Sequence, residues 1–346
     1  MTDNATPLIS IVIPTVGRAC LIQTLQSLAS ASLFDRVEVL VAGRIHAPEI
    51  DAEFQALRAR HAQIRHLPVS FDKGDSSAKK NAGAQAARSG LVAFLDDDVI
   101  VPGAWIAAIT AAFENPAVNL VTGPALPPDD ISLAGRLAAQ ALSSAASGYV
   151  ARRYTLQDAP PFDAPWSTII GCNMAWRRAA LEKAGGFDVQ FWPGEEMLAA
   201  FRAEQGGNRL YCVPAAWLWH MPRQTLAGFW RQIQGYGATR IRLIRAGVTV
   251  EYTTLIPAAW VLSLAILIPA AFFSRAAAGV LLAETAVYSL LPLAAAARAF
   301  ARHRRSADLL LALMIPMMHL SYGLAEWREF LQPGRDFSGT LKPKAS

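Results

Sequence analysis

The stretch GLVAFLDDD, from Gly90 to Asp98, decides the fold expected of this chain. A short apolar run bounded by turn residues predicts a strand that is buried on both faces. The three adjacent carboxylates at its end repel one another unless something compensates their charge. A hard cation such as Mg²⁺ or Mn²⁺ would do so through oxygen ligands, usually together with substrate phosphates. A solvated acidic turn is the alternative for this segment taken alone.

Alternating strand-like and helix-like segments surround the acidic stretch, from Leu8 to about Pro222. The hydrophobic pattern predicts strands at 8–13, 37–41, 64–69 and 213–220, and helices at 21–33, 54–61 and 76–89. This order implies an α/β fold, with a mostly parallel sheet flanked by helices and ligands bound beyond the carboxyl ends of the strands. No GxGxxG follows the first strand, which disfavours a dinucleotide-binding Rossmann domain.

The composition narrows the class of protein further. Hydrophobic residues make up 53% of the 346 residues, and the long uncharged runs lie toward the C-terminus. The basic residues behind the net charge of +5 cluster near those runs, which favours membrane lipids over nucleic acid as partners. Cys20, Cys172 and Cys212 form no CxxC pair, which argues against a disulfide framework or a zinc site. The N-terminus has no basic n-region of a signal peptide, so we expect the first domain to stay in the cytoplasm.

Three apolar runs predict membrane-spanning helices at residues 255–273, 276–297 and about 307–325. Glu284 interrupts the second run, and we expect it to face another helix or a polar partner. Arginines precede the first run and separate the second from the third, which places both of these segments on the cytoplasmic side. The third run either crosses the membrane, which puts the basic tail after Arg328 outside, or lies in the interface, which keeps that tail inside.

Residues 226–244 connect the two regions with apolar and aromatic residues interleaved with arginines. This pattern predicts an amphipathic interfacial helix, which would bring the active site close to the bilayer. The predicted organisation is a cytoplasmic α/β domain, an interfacial linker, a transmembrane region of two or three helices and a polar tail, at 1–222, 223–250, 251–326 and 327–346. We therefore predict a multi-pass protein of the inner, cytoplasmic membrane.

Further candidate site residues lie in the second half of the α/β domain. The segment from Gly171 to Arg178 leads into a short predicted helix. Glu195 and Glu196 begin another predicted helix, where the helix dipole alone would favour carboxylates. His220 ends the last predicted strand, and a single histidine there is either a structural residue or a ligand.

Together these segments resemble the family-2 glycosyltransferases with the GT-A fold, over roughly residues 8–245. The matching segments, in chain order, are Ile11–Thr15, Lys80–Gly83, Ala87–Gly90, Leu95–Asp98, Gly171–Arg178, Gly185–Asp188, Gly194–Arg202 and His220. The resemblance lies in the order and spacing of these motifs rather than in any one of them. With its apolar C-terminal runs, the chain is similar to the membrane-anchored glycosyltransferases of exopolysaccharide and lipid-linked glycan assembly.

The resemblance implies an inverting, Mg²⁺- or Mn²⁺-dependent transfer of a sugar from a nucleotide-diphosphate-sugar donor to a hydroxyl of a lipid-linked or polysaccharide acceptor. It implies that Glu196 is the general base, with Glu195 as the second candidate. The implied metal ligands are Asp98, Asp96 and His220. The implied donor contacts are Pro14, Thr15, Lys80, Asn81, Asp96, Asp97 and Arg178. Separately, Lys73, Lys79 and Lys80 lie one element before the acidic motif, and this position makes them candidate phosphate contacts. Asp97 is alternatively a solvated neighbour, and Arg178 a solvated residue on a helix face.

The chain departs from the family pattern in two places. Where the family usually carries an Asp-Asp-Gly-type sequence that helps to hold the nucleotide base, this chain has Ala42 and Gly43, so a uridine donor is not predicted. Glu196 stands where the family has an aspartate, and its side chain is one methylene longer. Two other interpretations stay open: a polyprenyl-phosphate sugar synthase, whose ionised acceptor needs no base, and a degenerate domain that scaffolds a membrane assembly.

Overall fold

The computed structural model of the protein describes residues 6–71, 75–155 and 159–332. The predicted phosphate contact of Lys73 and the polar tail beyond Gln332 lie outside these residues. The chain forms two compact units. The first unit contains the described residues up to Pro128 and Arg152–Met221, and the second contains Asp129–Ala151 and the described residues from Pro222 onward. The continuous domain predicted for residues 1–222 is thus interrupted, because residues 129–151 pack with the C-terminal helices.

The first unit is built on a sheet flanked by helices. Its strands are β1 (Ser10–Pro14), β2 (Glu38–Ala42), β3 (Ile64–Leu67), β4 (Leu91–Leu95), β5 (Val99–Ile100), β6 (Val118–Thr122), β7 (Ala125–Leu126), β8 (Phe162–Asp163), β9 (Asn173–Arg177), β10 (Arg209–Cys212) and β11 (Leu218–His220). Its helices are α1 (Cys20–Ala29), α2 (Pro48–Arg60), α3 (Asp75–Ala86), α4 (Trp105–Ala112), α6 (Arg178–Lys183) and α7 (Glu195–Gln205), and α5 (Leu133–Ser143) belongs to the second unit.

The main sheet has eight strands in the order β3-β2-β1-β4-β9-β6-β10-β8. Strands β3, β2, β1 and β4 are parallel, which confirms the predicted α/β fold. Strand β9, which the sequence analysis did not predict, inserts antiparallel between β4 and β6. A second sheet of three short strands has the order β5-β11-β7.

Helix α3 packs closely against the main sheet, and this packing fixes the position of the residues that follow β1. The side chains of Ile11, Val39 and Ala93 are fully buried, as expected of parallel strands covered on both faces. Helix α3 approaches β1 at Gly83, where an added Cβ would lie 2.3 Å from Cγ1 of Val12. This approach sets α3, which carries Lys79 and Lys80, directly against the strand that leads into Thr15.

The second unit consists of α5, α8 (Leu226–Arg245), α9 (Ile256–Ala271), α10 (Arg275–His303) and α11 (Leu311–Leu331). By length and composition, three helical segments of this unit are able to cross a membrane: Tyr252–Ala271, Arg275–His303 and Ser306–Leu331. These segments agree with the three predicted apolar runs. The last one differs from the others, because 39% of its most apolar window is buried inside the protein, against 11% for each of the first two.

Helices α8 and α11 lie side by side and run in the same direction. Ser321 donates a hydrogen bond to the backbone oxygen of Trp230, and farther along Arg242 forms an ion pair with Glu329, at 2.9 Å. Between these contacts, Arg240 is buried and donates from Nε to the hydroxyl of Tyr322, at 2.9 Å. The helix predicted at 226–244 therefore exists, but protein rather than lipid covers much of the face that carries its arginines.

Candidate active site

The three aspartates follow β4 and point in different directions. Asp97 is 2% exposed, accepts a hydrogen bond of 2.6 Å from Oγ1 of Thr15 and forms an ion pair with Arg18. It is not the solvated neighbour of the alternative prediction, because the loop after β1 covers it. Asp96 and Asp98 remain partly exposed and face a common cluster.

His220 joins this cluster because β11 pairs antiparallel with β5, which places His220 beside Val99. Its Nε2 atom lies 3.3 Å from Oδ1 of Asp98. One potential ligand atom each from Asp96, Cys172 and His220 lie within 4.8 Å of one another. Cys172 reaches the cluster because Asn173, the first residue of β9, pairs with Leu95 at the end of β4.

The two partly exposed aspartates, Asp96 and Asp98, differ in their tendency to ionise. Burial alone would raise the pKa of Asp98, but the hydrogen bond to His220 and the charge of Arg18 lower it to about 2. Burial raises the pKa of Asp96 above its usual value, and the nearby charges of Lys80 and His220 offset only part of this effect. Asp98 therefore supplies a fixed negative charge, whereas Asp96 gains most from a cation bound beside it.

The donor atoms of the cluster fit a divalent cation. Carboxylate oxygens suit Mg²⁺ and Mn²⁺, and an imidazole nitrogen shifts the preference toward the transition metals. Asp96, Asp98 and His220 are the three residues predicted as metal ligands, and the structure brings them together. Cys172 was not predicted, because its approach depends on the antiparallel pairing of β9.

Glu195 and Glu196 begin α7 but have different surroundings. Oε1 of Glu195 lies 2.9 Å from Nζ of Lys80, and both side chains are 4% exposed. Glu196 is partly exposed. Burial, followed by the negative charge of Glu195, raises the pKa of Glu196 to about 7, although Lys80 and Arg153 act in the opposite direction. Glu195 is thus committed to an ion pair, and Glu196 is the carboxylate poised to exchange a proton near neutral pH.

Two arginines near the site were missed by sequence reasoning. Arg18 lies between β1 and α1 and contacts Asp97 and, at 3.1 Å, Oδ2 of Asp98. Arg153 is buried, donates twice to the backbone oxygen of Ser167 and lies close enough to Glu196 to lower its pKa. The position of Arg18, four residues after the end of β1, could have indicated a basic residue near the site, because the carboxyl ends of the parallel strands face it. Nothing in the local pattern around Arg153 indicates its position.

The predicted residues of β1 and α3 lie where the strands end. Thr15 follows Pro14 and binds Asp97, while its backbone oxygen accepts a hydrogen bond of 2.7 Å from Nζ of Lys79. At the end of β2, an added Cβ on Gly43 would lie 2.0 Å from the oxygen of Thr15. The departure from the family pattern at Gly43 therefore has a local cause, since no side chain fits between the ends of β1 and β2.

Two predicted donor contacts do not join the cluster. Arg178 follows the C-terminal end of β9, and the antiparallel pairing sets this end beside Leu91, at the start of β4 and far from the aspartates. Its guanidinium donates to the backbone oxygen of Ala87 instead. Asn81 exchanges two hydrogen bonds with the backbone of Phe187 and thereby holds the turn at 185–187.

Comparisons with known proteins agree with this fold. The family model described as glycosyltransferase like family 2 matches residues 6–235. Pre-mycofactocin glycosyltransferases from two strains of Mycobacterium tuberculosis are 28% identical over 186 residues, which is 52% of this chain and 37% of theirs. The chain thus spans little more than a third of the length of these relatives.

A solved structure is also similar: the mannosyltransferase PcManGT from Pyrobaculum calidifontis, in complex with GDP-Man and Mn²⁺. It matches with a TM-score of 0.63 and 18% identity, over 94% of this chain and 88% of that chain. This likeness confirms the GT-A-type fold. The family match covers well over half of the sequence, and the chain therefore belongs to glycosyltransferase family 2.

Proposed function

We propose that this protein is an inverting, metal-dependent glycosyltransferase that transfers a sugar from a nucleotide-diphosphate-sugar to a hydroxyl of a membrane-associated acceptor. The proposal rests on the observation that the site contains both a cluster of potential metal ligands and a separate carboxylate that can act as a base. Asp96, Asp98 and His220 form a cluster suited to a cation, and Glu196 is a partly exposed carboxylate with a raised pKa.

In this proposal Glu196 accepts the proton of the acceptor hydroxyl as its oxygen attacks the anomeric carbon. The bond from that carbon to the diphosphate oxygen breaks, and the nucleoside diphosphate leaves. A single displacement with one base inverts the anomeric configuration. Glu195 holds Lys80, whose charge lies close enough to Glu196 and Asp96 to affect the pKa of both. Glu195 and Lys80 thus position charge around the reacting groups.

Asp98, Asp96 and His220 would hold the divalent cation, which as a Lewis acid neutralises the charge that develops on the leaving diphosphate. The solved neighbour, which is in complex with Mn²⁺ and GDP-Man, supports a divalent metal and a nucleotide-sugar donor. We assign Thr15, Asp97 and Arg18 to the donor side of the site, with Pro14 shaping the strand end. Gly43 leaves no side chain for the nucleotide base at the end of β2, so a uridine preference does not follow.

The membrane association is supported by the candidate spanning helices α9 and α10. Arginines cluster before α9 and at the end of α10, and the positive-inside rule places these ends in the cytoplasm. We propose that the protein lies in the cytoplasmic membrane, that the first unit works in the cytoplasm and that the acceptor is bound to the membrane.

The test compares Glu196→Gln with Glu195→Gln in purified full-length protein. We expect Glu196→Gln to lower kcat by about 10²–10⁴-fold, the usual contribution of a general base, with an unchanged melting temperature. Glu195→Gln is the matched control one residue away. It removes the ion-pair partner of the buried Lys80, which costs about 3–5 kcal/mol of stability, so its main effect should be a lower melting temperature.

Sugar transfer is followed by nucleoside diphosphate release, with Mn²⁺ and a panel of nucleotide-sugars. Unchanged turnover of Glu196→Gln would reject the hydroxyl-acceptor scheme and favour an acceptor that is already ionised, as in a polyprenyl-phosphate sugar synthase. If calorimetry detects no binding of any nucleotide diphosphate with Mn²⁺, the proposal of a catalyst fails and the scaffold interpretation gains support.

A further inference from the structure

The second unit contains a cavity of about 920 Å³ among α8, α9, α10, α11 and the segment after α5. Most of its wall is apolar or aromatic, as at Ile233, Trp260 and Leu291. Two of the helices that line it, α9 and α10, are long and apolar enough to span a membrane. A volume of this size is typical of a site for a small organic molecule.

The charges of the wall restrict what such a molecule carries. Among the described residues that line the cavity there is no lysine and no arginine, whereas Glu251 and Glu284 both contribute. The cation next to this wall, Arg240, lies behind it, where its guanidinium is 5.0 Å from the ring centroid of Tyr149 and donates to the hydroxyl of Tyr322. A phosphate group would therefore face the two carboxylates directly and meet Arg240 only through these tyrosines, which is unfavourable in a medium of low dielectric constant. The cavity therefore disfavours an anionic lipid and suits a neutral one.

Glu284 adds a specific polar contact in the apolar wall. Its Oε1 atom accepts a hydrogen bond from the hydroxyl of Ser263. Its Oε2 atom is buried and has no hydrogen-bond partner among the described residues. A polar atom in such a place is costly unless a ligand or water satisfies it, and a hydroxyl group would do so. Trp260 and Tyr288 stack nearby, with ring centroids 4.3 Å apart, and both line the cavity.

We propose that this cavity binds a neutral lipid that carries a hydroxyl group on a long apolar body. The inference concerns binding within the second unit and goes beyond the proposed function, on which it does not depend.

The experiment measures binding, without donor or metal, to full-length protein in nanodiscs. The probes are a matched pair, geranylgeraniol and geranylgeranyl phosphate, and native mass spectrometry gives the bound fractions. We expect the alcohol to bind at least roughly tenfold more tightly than the phosphate, since only the phosphate brings an uncompensated charge into the cavity. Equal binding of both probes, or preference for the phosphate, would overturn the proposal.

Two matched variants on α10 test the location. Val287 lines the cavity, whereas Val280 lies two turns earlier on the same helix and is not among the lining residues. Both side chains are exposed in the protein, at 70% and 55%, so the two variants differ mainly in their position relative to the cavity. We expect Val287→Trp to reduce alcohol binding at least roughly tenfold by filling space, and Val280→Trp to leave it unchanged. Equal losses in both variants would mean that the alcohol binds elsewhere, which contradicts the proposal.

Glu284→Leu tests the polar contact, with a roughly tenfold loss of alcohol affinity expected from removal of one hydrogen bond to a charged group. Unchanged affinity would remove Glu284 from the site. Because none of these measurements needs sugar transfer, failure of the lipid proposal and failure of the glycosyltransferase proposal are distinguishable.

Discussion

At the scale of single residues, the neighbouring carboxylates Glu195 and Glu196 show how burial divides the work between similar groups. Glu195 forms a buried ion pair with Lys80, whereas Glu196 keeps partial contact with solvent. The helix dipole at the start of α7 favours both, so it does not decide their roles. The difference between them comes from α3, which places the ammonium group of Lys80 within ion-pair distance of Glu195 only.

The raised pKa of Glu196 predicts an acidic limit on activity. A base works only when it is ionised, so kcat should fall as the pH decreases through the raised pKa, about 7, rather than through the ordinary range of a carboxylate. Burial and the charge of Glu195 cause the shift, and Glu195→Gln should therefore move the acidic limb of the pH–rate profile to lower pH.

The measurement is a profile of kcat against pH at saturating donor and Mn²⁺, for the wild type and Glu195→Gln at a temperature where both are folded. Glu196→Asp serves as the comparison that keeps a carboxylate in place. A wild-type limb near pH 4, or one that Glu195→Gln leaves in place, would assign the limiting ionisation to another group.

Two site residues, Asp96 and Asp98, were predictable from the sequence because they follow a strand whose end is fixed by the α/β order. His220, the last residue of β11, was predicted as a ligand from the family resemblance. The role of Asp97 as a buried partner of Thr15 and Arg18 was not predictable, since the sequence of three consecutive aspartates does not indicate which side chain turns inward. Arg178 was misplaced for a different reason, namely the direction of the strand before it.

At the scale of elements, the ends of β1 and β2 lie so close together that a side chain at residue 43 does not fit between them. Gly43 has a φ of 150° and lies against the backbone of Thr15. Gly43→Ala should therefore destabilise the protein by about 1–3 kcal/mol, the usual cost of overpacking a filled position. Gly90→Ala is the control, because an added Cβ at Gly90 meets nothing within 4 Å.

Thermal unfolding in detergent, followed by circular dichroism, would check this pair. A large drop in melting temperature is expected for Gly43→Ala, and almost none for Gly90→Ala. Equal melting temperatures of the two variants would mean that β1 and β2 separate easily at this edge. In that case the missing base-binding acid would need another explanation than the close approach of the two strands.

The strands and helices around β1, β2 and β4 were predicted from hydrophobic periodicity, and the structure contains them. Strand β9 escaped prediction because it runs directly into α6 without a turn between them. Its direction also depends on a pairing with β4 across some eighty residues, which no local pattern encodes. The division of the chain was missed at residues 129–151 for a similar reason, since α5 finds its partners only in the C-terminal helices.

At the scale of the whole molecule, α11 lies level with one end of α9 rather than along its length. Tyr288 stacks on Trp260, and its hydroxyl is 2.8 Å from Nδ1 of His319. Eight residues later, Nε1 of Trp327 donates to the backbone oxygen of Ala258. One end of this stretch of α11 thus contacts Tyr288 of α10, beside Trp260 near the start of α9, and the other end bonds to the first turn of α9, as expected of a helix that lies in the interface.

We therefore expect two membrane crossings, and a C-terminus on the same side as the start of α9. A fluorescent protein and an alkaline phosphatase, fused in turn to the C-terminus, would report the side. The first should be active and the second inactive. Insertion of the same reporters in the turn at Ser274 should give the opposite pattern. Phosphatase activity at the C-terminus would show that α11 crosses the membrane.

The parallel pairing of α8 with α11 has a consequence for biosynthesis. The hydrogen bond from Arg240 to Tyr322 and the ion pair of Arg242 with Glu329 join residues 82 and 87 positions apart. A ribosome releases α8 first, and its partner emerges only after α9 and α10 have been made. During that interval the face of α8 that packs on α11 has no protein cover, and a lipid surface is its natural temporary neighbour. We therefore expect α11 to pack onto α8 last, after α9 and α10 have formed their hairpin, and to complete the second unit.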